Sequence, residues 1–221
     1  MRTITKTINL YNFDELSEKA REKVVNTVRE HLYTEHCDNV DDVICECLYN
    51  YGVGEAEYNY SLSYSQGDGV CFYNINLFSY SRLTSKDNNI KLSKFESEAL
   101  TLLNEKEYKL LLQYLNEGCN IKIVKNSSMY SSMYCHSHTC TLEEEYYYSD
   151  DAEEEKAINN LIYELKKKME NIYHNMCYEI ERLAYNYIEN ISDNEIKEDI
   201  NYLQNDCGLM FLEDGAYYYG D

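Results

Sequence analysis

Three observations predict an α+β fold: a mainly antiparallel, Tyr-rich sheet with helices covering one face. Apolar residues recur every three or four positions over long stretches, as helices with one buried side require. Between them lie short runs that alternate bulky and small polar residues, as half-buried strands do. Tyr occurs 25 times, while Trp and Pro are absent. Tyr joins an apolar body to a polar tip and suits half-buried sheet faces, and without Pro the turns rest on Gly, Asn, Asp and Ser. The 221 residues are read as one domain, 1–221, large enough to bury a substantial core.

TITKTIN, residues 3 to 9, alternates β-branched and polar residues and predicts a first strand. Asn12 or Asp14 can cap the helix that follows, where Leu16, Ala20, Val24, Val28 and Leu32 form one apolar stripe. A second, shorter helix is expected over about 39–51, with Val43, Cys47 and Tyr51 on one face and Gly52 and Gly54 ending it. Residues 57–64 set Tyr58, Tyr60, Leu62 and Tyr64 on one face; residues 70–80 continue the alternation. Together they predict a hairpin over 57–80 around Gln66-Gly67-Asp68-Gly69. LSKFESEALTLLNEKEYKLLLQYLNEG reads as two short helices stopping at Gly118.

A second hairpin is expected over 119–148, with Ile121, Val124, Met129, Tyr130, Met133 and Tyr134 in its β-prone runs and a Ser-rich turn. The longest helix should cover about 151–190. Its stripe is Ile158, Ile162, Leu165, Met169, Ile172, Met176, Ile180, Leu183 and Tyr187. Steps of three and four fit a core stripe, or a coiled-coil seam that would make a homodimer; the sheets that need cover favour core. A short helix near 193–204 and a hairpin in LMFLEDGAYYY, turning at Asp214-Gly215, close the chain.

Charge narrows the function classes. Forty Asp and Glu stand against 20 Lys and Arg, a net −20. Such a chain repels the phosphate charge of nucleic acid, which excludes direct nucleic-acid binding as the expectation. It is attracted to basic surfaces, the kind that nucleic-acid-handling proteins present; the plainer role of such charge is solubility. Met1 to Leu10 has no apolar leader core, and no run approaches the ~18 apolar residues of a membrane span. With nine scattered Cys, a reduced cytoplasmic protein is expected.

Three motifs bear on chemistry. Ser65-Gln66-Gly67-Asp68-Gly69 lacks the lysine of a phosphate loop, the third glycine of a dinucleotide fingerprint and the spaced acids of a calcium loop. Gly67, Asp68 and Gly69 are therefore read as a structural turn. On a strand, His136, His138 and Cys140 would share a face, with Cys135 on the other. Two His and a Cys can hold zinc if a fourth ligand arrives from elsewhere, although no CxxC pair accompanies them. Zinc or a nucleotide at this strand is the alternative to a protein without a cofactor. EEEYYYSDDAEEE carries eight acids and no base: Glu143, Glu144, Glu145, Asp150, Asp151, Glu153, Glu154 and Glu155. Such runs are usually solvated faces. Closely spaced carboxylates on a strand-to-helix edge can also imitate a phosphate backbone, so these eight are the candidate partner-binding residues. No residue is assigned a catalytic role, and most of the thiols are expected to act as small buried hydrophobes.

Tyr11-Asn12-Phe13-Asp14-Glu15-Leu16-Ser17-Glu18-Lys19-Ala20 with Lys23, and then Ser65-Gln66-Gly67-Asp68-Gly69-Val70-Cys71-Phe72, resemble the patterns FDELSxxAxxKA and SQGDGAxF of a broad group of tailed-phage proteins. Tyr134 to Ser137 and Glu213-Asp214-Gly215 are similar to later features of that group. The chain departs from it in having no Trp around the second helix and the hairpin, where Tyr stands instead. The resemblance implies a phage or prophage protein acting in the cytoplasm of a bacterium, and it brings no catalytic residues. Some members carry an antitoxin label. Joined to the charge, it suggests a non-enzymatic, anti-CRISPR-type inhibitor of a host defence effector, such as a CRISPR nuclease or a restriction complex. The alternative is an antitoxin-like partner that neutralises a toxin.

Overall fold

Nine residues spaced four apart set the course of the first helix. Leu16, Ala20, Val24, Val28, Leu32, His36, Val40, Ile44 and Leu48 are all buried. Each step of four on a helix of 3.6 residues per turn advances by about 40°, so the buried line winds around the helix. In a computed structural model, which describes residues 7–87, 89–126 and 134–219, all of these but Leu16 lie on one continuous helix, α1 (Glu18–Asn50). Two helices were expected here. No Gly or Pro interrupts Tyr33-Thr34-Glu35-His36-Cys37-Asp38, and His36 keeps the line buried. Its Nδ1 donates to the Tyr187 carbonyl at 2.7 Å and its ring stacks on Tyr187. The inward face of the second half is Val40, Ile44 and Leu48, rather than Val43, Cys47 and Tyr51. Gly52 ends α1 at φ 72°; a Cβ there would stand 2.8 Å from the Ser93 Cα, so only Gly fits.

The chain is α+β, with helices alternating with small antiparallel sheets. It divides into two compact units, 1–41 with 186–221, and 42–185. In the first, α6 (Asp193–Asn205) and the two-residue strands β6 (Met210–Phe211) and β7 (Tyr217–Tyr218) pack with the first half of α1. Leu16, Val24, Val28, Ile196, Ile200 and Phe211 fill this core. Residues 7–9 of the expected first strand are not in a strand, and residues 3–6 lie outside the described residues. Tyr11 alone exchanges two 2.9 Å backbone bonds with Phe211.

The second unit holds β1 (Glu57–Ser61), β2 (Gly69–Tyr73), β3 (Ile75–Asn76), α2 (Tyr80–Thr84), α3 (Lys94–Leu102), α4 (Glu105–Asn116), β4 (Ile121–Lys125) and β5 (Cys140–Glu144). Most of α5 (Ala152–Glu189) also belongs to it. One continuous sheet was expected; the structure has a β1-β2 pair and a separate β3-β4-β5 sheet. The break is Asn74, at φ 58°, a left-handed conformation that Asn tolerates well. Its amide donates to the Ile123 carbonyl at 2.8 Å and its side chain to Glu57 at 2.8 Å, which passes the chain from one sheet to the other. β2 is buried on both faces rather than one, because Phe72 meets Tyr173 of α5 edge-on while Thr139 reaches Cys71 from the other side. Met129, Tyr130, Met133 and the expected Ser-rich turn fall on residues outside the described ones.

α5 buries Ile158, Ile162, Leu165, Met169, Tyr173, Met176, Cys177, Ile180, Ala184 and Ile188. The stripe is core, as expected, but it slips by one position in its last turns: Leu183 is exposed and Ala184 is buried.

One buried carboxylate ties α2 to α3. Glu96 is fully buried and accepts from Ser79 N (2.8 Å), Arg82 Nε (2.9 Å) and Ser93 N (2.8 Å). Ser93 Oγ accepts from Glu96 N in return, closing a capping box at the start of α3. Truncating one member of a buried ion pair strands its partners, so Glu96→Ala should cost about 3 kcal/mol. Glu98→Ala removes only the exposed i,i+4 pair with Lys94 and should cost under about 0.5 kcal/mol. Urea unfolding of the two variants measures both.

Candidate functional site

The eight predicted carboxylates lie where β5 leaves its sheet and α5 begins, and the structure separates them into two groups. Glu144 pairs with Lys166. Glu145 accepts the Asn120 amide at 2.8 Å. Asp151 Oδ1 accepts the Glu153 and Glu154 amides at 2.9 and 3.2 Å and so caps α5. Glu154 accepts from Gln113 and from Ser149 Oγ. Glu155 accepts the Tyr146 hydroxyl at 2.8 Å and the Ser149 amide at 3.1 Å. These five build the corner. Glu143, Asp150 and Glu153 have no side-chain hydrogen bond or ion pair among the described residues and are exposed. The acids at the start of α5 also face the positive end of its macrodipole, which favours them there.

The tyrosines of the same run divide in the same manner. Tyr147 is buried; its backbone is clamped by Asn159, which accepts from Tyr147 N at 3.0 Å and donates to Tyr147 O at 2.9 Å. Its two neighbours point outward. Tyr146 and Tyr148 are 53% and 79% exposed and their ring centroids lie 4.7 Å apart. The Tyr146 phenol is shifted upward by its hydrogen bond to the Glu155 carboxylate, so it stays a donor. The run therefore presents a pair of exposed aromatic rings in mutual contact among free carboxylates. Sequence reading expected an acidic, Tyr-rich surface and named the acids but not these two rings, although alternation along an extended segment places Tyr146 and Tyr148 opposite Tyr147.

The predicted His/Cys strand is not a strand along its length. Ser137–Thr139 forms a 3-10 turn, and only Cys140 enters β5. The turn exists because Thr139 bonds back to His136 O through both its amide (3.0 Å) and its hydroxyl (2.8 Å). The His136 and His138 rings stay edge to face, with centroids 5.7 Å apart, while Cys140 turns into the core. Cys140 is buried, and Thr139 Oγ1 stands 4.0 Å from its sulfur and 3.6 Å from that of Cys71. His138 stacks on His174, which bonds Ser137 Oγ through Nδ1 at 2.8 Å. Burial shifts His136 and His174 downward, as does the neighbouring His138. Burial pushes the Cys177 thiol up to about 12. Among the described residues, no three His, Cys, Asp or Glu side chains converge closely enough to hold a metal ion.

Gly67, Asp68 and Gly69 form the turn that was expected, and Asp68 organises it. Its Oδ1 accepts from Ser61 Oγ (2.6 Å) and Ser65 Oγ (3.0 Å), and its Oδ2 from the amides of Ser63 (2.8 Å) and Ser65 (2.6 Å). Gly67 is required twice over: its φ is 96°, and a Cβ there would overlap the Tyr134 ring. The loop serves the fold by joining β1 to β2.

No family model matches the chain, and neither a curated protein nor a solved structure matches it. Among the described residues, no helix is long and apolar enough to cross a membrane.

The hydrogen bond from Ser61, followed by those from Ser65 and Ser63, holds the Asp68 carboxyl well below the usual carboxylate range. A folded-state value below the unfolded one means stability that is present above about pH 4 and lost as pH falls through the folded value. Asp68→Asn should lower stability by about 1–2 kcal/mol at neutral pH and flatten the dependence below about pH 4. Urea midpoints measured over an acid pH series test this; identical slopes for the two proteins would refute it.

Proposed function

We propose that the protein is a non-catalytic binding protein that docks onto the basic, nucleic-acid-binding surface of another protein. The observation that carries this reading is the corner between β5 and α5. There the exposed rings of Tyr146 and Tyr148 sit among the unpaired carboxylates of Glu143, Asp150 and Glu153. Aromatic side chains dominate binding energy at protein interfaces. Surrounding charge of one sign steers encounter with an oppositely charged partner. The five engaged acids favour the same reading, since they hold the corner in one shape before any partner arrives, which lowers the ordering cost of association. The chain's −20 charge extends the attraction beyond the corner. The likeness of its FDELS and SQGDG segments to tailed-phage proteins makes a bacterial defence effector the class of target, inhibited by occupation of its basic groove.

The test begins with retention of host proteins on the immobilised chain, followed by titration of whatever is retained. Affinity should fall about tenfold or more between low and physiological salt, and a nucleic acid that binds the target should compete. Tyr146→Ala combined with Tyr148→Ala should weaken binding by about two orders of magnitude, as loss of a paired hot spot does. Binding that is indifferent to salt and leaves nucleic acid bound would overturn the reading.

A further inference from the structure

The second unit carries a cavity of about 1000 Å³ between the end of α1, the Gly52–Glu55 turn, the strand β3 and the helix α2. Its lining runs against the composition of the chain. Across the whole sequence acids outnumber bases two to one; in this cavity Arg82, Lys91 and Lys122 face a single lining acid, Glu55. A cleft lined by one sign of charge and walled by protein concentrates the field in its interior.

Each cation is presented in a different way. Arg82 is held through Nε by the buried Glu96. Its Nη groups have no partner among the described residues, so a fixed guanidinium edge is left with free donors. Lys91 Nζ lies over the Tyr49 ring, 5.4 Å from its centroid, which sets a charge on one face of a tyrosine that is 72% exposed. Lys122 stands on β4 in register with Asn76 on one side and Glu143 on the other, and makes no ion pair among the described residues. Asn76 also lines the cavity, and its side-chain amide retains both donor and acceptor capacity.

The geometry points to a nucleoside 5′-phosphate as the ligand class of this cavity. Arg82 and Lys122 would take the phosphate, Arg82 through its fork of donors and Lys122 as a point charge. The face of the Tyr49 ring away from Lys91 offers a stacking surface for a base, and Asn76 offers a donor–acceptor pair for a base edge. A volume near 1000 Å³ reaches the upper end of ordinary small-molecule sites, roughly 300–1,000 Å³. This site shares no residue with the Tyr146–Tyr148 corner and does not depend on the docking function proposed for it.

Calorimetric titration of the full chain with AMP, GMP, CMP and UMP at low salt tests the assignment, with inorganic phosphate and adenosine as controls. At least one nucleotide should bind saturably, and about tenfold or more tighter than either control. Lys122→Gln and Lys91→Gln should each weaken that binding by about three- to tenfold with an unchanged melting temperature. These two lysines are chosen because neither supports the fold, whereas a change at Arg82 would strand Glu96. Absence of saturable binding by all four nucleotides overturns the proposal. So does phosphate binding as tightly as the nucleotides, which would make this a site for an anion alone. Adenosine binding as tightly as AMP, or unaltered affinity in both lysine variants, would also overturn it.

Discussion

The second unit depends on a carboxylate that has no access to water. Glu96 is charged chemistry placed in a core, an arrangement that is costly unless every lone pair finds a donor. Three donors meet it: the backbone amides of Ser79 and Ser93, and Arg82 Nε. Those three come from the segment before α2, the segment before α3 and the body of α2, so one side chain fixes the relation of two helices. Helix α2 has five residues, too short to persist alone; its place is set by Glu96. The consequence reaches the cavity, because the same bond that satisfies Glu96 orients the Arg82 guanidinium.

Glu96 exemplifies a wider use of acid in this chain. Glu107 and Glu195 each reach back to an N-cap amide in the same reciprocal arrangement, and Glu15 accepts the Asn12 amide at 2.7 Å. Asp68 gathers the loop between β1 and β2, and Asp151 caps α5. Without Pro to stiffen its turns, the chain fixes many of its corners with carboxylates that accept backbone amides. Part of the −20 charge is therefore architectural. Net charge still sets the long-range field, but only a subset of the acids remains free for contact with a partner.

The same distinction explains what could be read from sequence. The amphipathic stripe of α5 placed that helix to within a residue at each end, because periodic apolar positions report a buried face directly. The start of α3 is likewise written locally, in Ser93-Lys94-Phe95-Glu96, the S-x-x-E spacing of a capping box. What sequence did not show was decided by distant neighbours. Continuity of α1 through His36 needs Tyr187, 151 residues away. The division into separate sheets needs Asn74 to find Ile123. The His/Cys run looked like a strand because alternation was the only local signal, and a hydroxyl bond from Thr139 to His136 turned it into a 3-10 bend. At the β5–α5 corner the acids were legible from composition, while the engagement of Glu144, Glu145 and Glu154 rests on Lys166, Asn120 and Gln113, which lie outside the acidic run.

Opposite charges meet at one rung of one sheet. Lys122 on β4 and Glu143 on β5 are register partners, so a lysine that lines the cavity and a free acid of the β5–α5 corner occupy the same ladder position. Two exposed charges this close partly cancel at long range and act separately at short range, because screening by salt removes the far field first. A macromolecular partner approaching from a distance senses the surplus of acid carried by the whole chain. A small anion already inside the cavity is governed by the donors within a few ångströms, Arg82 and Lys122, against Glu55. The two proposed roles are thus compatible: a basic surface would meet the field of the whole chain, and a phosphate the donors that line the cavity.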